Sequence, residues 1–126
     1  MTKMYLLIGT LNGFLAVALG AFGAHGLKQR LSPDLLAVFQ TGVQYHFYHT
    51  FALLLVAALM LHWPQNTALR WSALLFCIGM LVFSGSLYVL SITGIRWLGA
   101  ITPIGGLAFL AGWIVLAVAI WKTELV

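Results

Sequence analysis

Thr41-Gly42-Val43-Gln44-Tyr45-His46-Phe47-Tyr48-His49-Thr50 runs without interruption into Phe51-Ala-Leu-Leu-Leu-Val-Ala-Ala-Leu-Met-Leu61. The second string is apolar and long enough to enter a bilayer, whereas the first is polar where the rest of the chain is not. Wound as a helix, the polar string puts Gly42, His46 and His49 on one face and Thr41, Gln44 and Tyr48 on the next. Phe39, Val43 and Phe47, at i, i+4 and i+8, make its only apolar stripe. Such a helix touches lipid along that stripe and turns its other sides toward protein, water or a ligand. The junction therefore marks a membrane protein, and it marks where any chemistry would gather.

Composition agrees. The 126 residues are 63% hydrophobic and 6% charged, with mean hydropathy +1.06. Soluble domains have roughly 45–50% apolar and about 25% charged residues. A hydrocarbon core of about 30 Å takes roughly 20 apolar residues per helix, so the chain has room for four spans and for no separate soluble domain. The net charge of +4 comes from Lys3, Lys28, Arg30, Arg70, Arg96 and Lys122, scattered at segment ends. That spacing lacks the clustered patch nucleic acid requires and reads as membrane-edge anchoring. The single cysteine, Cys77, rules out an internal disulfide or a multi-cysteine metal site and is expected to pack as a small apolar residue.

The spans are expected at about 4–24, 43–63, 69–91 and 98–121. Lys3, the apolar run after it and Ala21-Phe22-Gly23 have the outline of a secretory signal, but the segment is read as the first span. Gly9, Gly13 and Gly20 give that span a face nearly free of side chains, with Gly9 and Gly13 as a GxxxG pair for close helix approach. Asn12, beside this face at membrane depth, is expected to bond across to another helix. Ser32-Pro33-Asp34 reads as a helix start: a capping serine, a preformed proline and an acid in the first turn. A single helix from Pro33 to Trp63 would be too long for an upright span. A bend is therefore expected near Gly42, with a short interfacial helix over about 33–40. Span four carries Gly105, Gly106 and Gly112 as a second close-contact face. Short connections make the fold class all-α, an integral-membrane up-down four-helix bundle. Tyr5, Trp63, Trp71 and Trp121 are expected at one interface, with Tyr45, Tyr48 and Trp97 at the other. The basic residues divide three against three across the membrane; Lys28 and Arg30 together tilt the reading toward their side being cytoplasmic.

Four strings carry a family resemblance: Gly20-Ala-Phe-Gly-Ala-His-Gly-Leu27, Thr41-Gly-Val-Gln-Tyr-His-Phe-Tyr-His-Thr50, Ser84-Gly-Ser-Leu-Tyr88 and Ile101-Thr-Pro-Ile-Gly-Gly106. In these the chain resembles the YgdD/YwdK-like family of small bacterial inner-membrane proteins over nearly its whole length. The resemblance implies a multi-pass protein of the inner (plasma) membrane, and it brings no reaction and no catalytic residues.

The candidate binding residues are His25, Gln44, Tyr45, His46, Tyr48, His49, Ser84, Ser86 and Tyr88, expected to meet as one polar cluster near one interface. No Ser/His/Asp set, paired carboxylate site, phosphate loop or CxxC is present, so no catalytic residue is assigned and an enzyme is not expected. Haem or metal held by His25, His46 and His49 is an alternative without diagnostic spacing or carboxylate support, and no cofactor is assigned. Neither acid, Asp34 nor Glu124, lies mid-span, which argues against a carboxylate-driven carrier; an oligomeric channel or small-solute transporter stays as the other alternative. The favoured reading is a structural or accessory membrane protein whose partners are the lipid bilayer and either further copies of itself or a larger membrane complex.

Overall fold

A computed structural model describes residues 1–125. Four helical segments are long and apolar enough to cross a membrane: Thr2–Leu27, Pro33–His62, Thr67–Thr93 and Arg96–Lys122, spans one to four below. They form an up-down four-helix bundle. Each span packs along the next one in the chain, while spans one and four share no comparable seam among the described residues.

Span one is α1 (Thr2–Phe22), which ends in a π-turn over Gly23–Leu27. Span two is α2 (Pro33–His62), with Ser32 Oγ accepting the Leu35 N–H at 3.3 Å and Pro33 in the first turn. Asn66 caps α3 (Thr67–Gly79) in the same way, at 3.2 Å to the Leu69 nitrogen. Span three continues through a π-turn at Met80–Ser84 into α4 (Gly85–Thr93), which stops at Gly94 in the left-handed region (φ +72°). A 3-10 turn at Arg96–Ala100 leads into α5 (Thr102–Lys122), the main body of span four.

The bend expected near Gly42 is absent, and so is a separate interfacial helix over 33–40: α2 is one unbroken 30-residue helix, about 45 Å long at 1.5 Å per residue. Gly42 is buried in the seam with span three rather than acting as a hinge. A Cβ there would lie 3.0 Å from Tyr88 and 3.3 Å from Leu87, and Ser84 Oγ donates to its carbonyl at 2.9 Å. The excess length is taken up by tilt or by turns projecting past the hydrocarbon.

Small residues decide how the spans meet. A Cβ on Gly9 would strike Leu54, one on Gly13 would touch Thr50 at 3.7 Å and one on Gly20 would touch Val43 at 3.4 Å, so this face of span one lies on span two. A Cβ on Gly105 would overlap the backbone of Phe83, and one on Gly112 would strike Phe76, so this face of span four lies on span three. Between them Leu53, Val56, Ala57, Ala73 and Phe76 form a fully buried core.

Candidate functional site

Both histidines of the polar string are buried, and both nitrogens of each ring are bonded. Asn12 settles the first tautomer. Its Nδ2 donates to the Ile8 carbonyl at 2.8 Å, so its Oδ1 faces His46 Nε2, also at 2.8 Å. His46 Nε2 therefore carries the proton, and Nδ1 accepts from the Tyr88 hydroxyl at 2.9 Å. For His49, Nδ1 donates to the Tyr45 carbonyl at 2.8 Å and Nε2 accepts from Trp113 Nε1–H at 3.0 Å. Its ring lies flat on Phe109, with centroids 3.5 Å apart and planes 8° off parallel.

These bonds are clasps between spans. Asn12–His46–Tyr88 ties span one to two and two to three, and His49–Trp113 ties span two to four. In hydrocarbon, no water competes for these groups, so a neighbouring helix is what satisfies them. Hydroxyls add further ties: Ser72 Oγ to the Gly112 carbonyl at 2.9 Å, and Ser86 Oγ to Thr102 Oγ1 at 2.6 Å.

The nine candidate residues do not make one pocket. His46 and His49 point to opposite sides of the bundle, because positions i and i+3 are separated by about 60° on a helix and spans one and four flank span two on different sides. His46 lies on the floor of a groove of about 310 Å³ walled by spans one and three. His49 lies in a second groove, of about 710 Å³, between spans two and four. Ser84, Ser86 and Tyr88 join the inter-span bonds described above. Gln44 is exposed and lines neither groove, whereas Tyr45 and Tyr48, also exposed, line the second groove beside His49; Tyr45 lends its carbonyl to His49 and its ring to Phe83. His25 is exposed in the π-turn, thirteen residues and so roughly 20 Å along span one from Asn12, too far to share a ligand with His46.

Nor is the cluster near an interface. An unbroken α2 puts His46 and His49 on either side of its midpoint, and their partners Asn12 and Trp113 sit at the middle of α1 and α5. Tyr45 and Tyr48 likewise lie within three residues of the midpoint of α2 rather than at its end. Expecting span two to begin at Val43 is what moved these side chains to the edge.

A metal or haem on either ring would need a nitrogen lone pair, and each is already taken, by Tyr88 and by Trp113. Among the described residues no three His, Cys, Asp or Glu side chains stand together as a ligand set. Trp113 and Phe109 escaped sequence reasoning. The signal was there for Trp113: a tryptophan in mid-span, away from both belts, has an N–H that needs a partner.

Residues 19–106 match the family described as protein of unknown function (DUF423). The UPF0382 membrane protein YwdK of Bacillus subtilis is 47% identical over 120 residues, covering 95% of this chain and 98% of that protein. A UPF0382 membrane protein of Haemophilus influenzae is 44% identical over 124 residues, covering 98% of each. Another, SAB0533 of Staphylococcus aureus, is 42% identical over 120 residues, with 95% and 97% covered. No solved structure matches.

Proposed function

The chain belongs to the DUF423 family, whose relatives carry the UPF0382 membrane-protein name, and from that premise we propose that it serves as a non-catalytic structural or accessory protein of the bacterial inner (plasma) membrane. The observation carrying this reading is that all four ring nitrogens of His46 and His49 are bonded within the bundle, three of them to neighbouring helices and the fourth, His49 Nδ1, to the Tyr45 carbonyl of its own helix. Polar groups used this way give a bundle a fixed shape and leave no base or ligand free. Helical spans, rather than barrel strands, favour the inner membrane as the location. The outward faces of spans one and four, with Leu7, Leu11 and Phe14 on one and Ile104 and Ile114 on the other, are exposed. In the membrane they meet lipid, further copies of this chain or a larger complex.

One feature favours a second reading, an oligomeric ion or small-solute pathway: Asn12–His46–Tyr88 is a hydrogen-bonded chain at mid-membrane beside a groove. The same purified sample separates the two. In the accessory role, mild-detergent extraction recovers one defined complex, and liposomes holding the protein pass no more protons or ions than empty ones. Flux that disappears in both His46→Ala and His49→Ala overturns the accessory role in favour of transport. A Soret band or stoichiometric metal overturns both.

A further inference from the structure

We propose that the groove between spans two and four seats one acyl chain of a membrane phospholipid, taken from the leaflet on the Arg96 side. The groove is about 710 Å³ in volume, within the roughly 300–1,000 Å³ of ligand sites, and is walled mainly by apolar side chains such as Phe83, Leu107, Leu110 and Trp113. It exists because Gly105 and Gly112 pull span four onto span three and leave it standing off from span two. His49 crosses the gap, bonded to Trp113 and stacked on Phe109.

Length selects the occupant. With 21 residues, α5 is about 31 Å long, matching a hydrocarbon core of about 30 Å. Along it the groove runs from Pro103, next to the start, to Trp113, at the middle. That is about 15 Å, the depth of one leaflet. A second copy's helix would need a seat along the whole span, and this groove ends halfway. An acyl chain anchored at one surface ends there too.

Charge fits the other end of the lipid. Arg96 and Trp97 are exposed in the 3-10 turn just before Pro103. On that side Lys28, Arg30 and Arg96 outnumber the one acid, Asp34. A phosphate therefore meets net positive charge where the chain enters the groove. The inference does not depend on the accessory role, since a transporter would hold the same lipid.

Gly106 allows a clean test. A Cβ there meets only Phe83, at 3.8 Å, so a larger side chain fits and projects into the groove. The full chain is purified in mild detergent with an equimolar mixture of dioleoyl phosphatidylglycerol and dioleoylglycerol and analysed by native mass spectrometry. The expected result is one phosphatidylglycerol retained per wild-type chain. Retention by Gly106→Phe falls roughly tenfold, the loss expected when about two methylenes are displaced. Leu11→Phe, on the outward face of span one, retains lipid as wild type does. Arg96→Gln shifts retention from phosphatidylglycerol toward uncharged dioleoylglycerol. Equal retention by wild type and a folded Gly106→Phe overturns the proposal. So does a lipid-free wild-type chain, or a dimer that Gly106→Phe dissolves. Should Gly106→Phe fail to fold, Leu110→Trp fills the groove from one turn further along the same helix and is judged by the same outcomes.

Discussion

A histidine at the middle of a membrane helix is tolerated only when every polar atom on it is answered, and here three of the four answers come from other helices and one from a carbonyl of the same helix. Replacing His46 by Leu leaves Asn12 Oδ1 and the Tyr88 hydroxyl facing hydrocarbon, and replacing His49 by Leu strands the Trp113 N–H. Interhelical polar contacts in membranes are worth about 0.6–2 kcal/mol each. His46→Leu is expected to destabilise by about 2 kcal/mol, more than His49→Leu, because it breaks two such contacts against one. Leu54→Ala, at a half-buried side chain that fills the notch above Gly9, costs less than either. Thermal unfolding of the three variants in the same detergent checks the order. Trp113→Phe separates bond from bulk: it keeps an aromatic ring over the groove and removes only the donor to His49. Its expected cost is about 1 kcal/mol, read in the same assay.

Glycines do for the helices what the histidines do for single contacts, and they are not equivalent. At Gly105 an added methyl would collide with the Phe83 backbone, which cannot swing aside, whereas at Gly106 it makes ordinary contact. Gly105→Ala is expected to separate spans three and four and lower the melting temperature by several degrees, while Gly106→Ala leaves it unchanged. Melting curves of the pair give the comparison, and equal behaviour would contradict the packing described. Much of this was legible beforehand. Gly9, Gly13, Gly105 and Gly112 recur at helical spacing in runs with no other reason to carry glycine, and bilayer thickness converts apolar length directly into four spans. The polar cluster was legible only as a list of residues. Whether His46 and His49 face together or apart depends on where α2 starts and on which side each neighbour lies. Helical periodicity fixes neither, and a glycine such as Gly42 looks the same in sequence whether it is a hinge or a contact. The π-turn at Met80–Ser84 was likewise invisible; it adds a residue to one turn of span three and offsets the face that carries Tyr88.

At the scale of the molecule, the bundle is nearly indifferent to which way up it lies. Lys3, Arg70 and Lys122 mark one surface and Lys28, Arg30 and Arg96 the other, and all four spans between them are apolar enough to cross. Nothing inside the fold breaks the tie, because the clasps lie at mid-membrane and keep their depth when the chain is inverted. Orientation is therefore left to the positive charges of the short connections. Lys28 and Arg30 stand together in the connection between spans one and two, and this pair is expected to hold its side in the cytoplasm, with both termini outside. Removing both, as Lys28→Gln with Arg30→Gln, leaves Arg96 alone against three and is expected to reverse the chain. A C-terminal reporter active only in the cytoplasm would be silent in the wild type and active in the double variant. A cysteine placed at Gln29 would escape an impermeant label added outside in the wild type and react with it in the double variant. Because the clasps do not depend on direction, the reversed protein should melt as the wild type does. A loss of stability on reversal would mean that the bundle senses the surface charges after all.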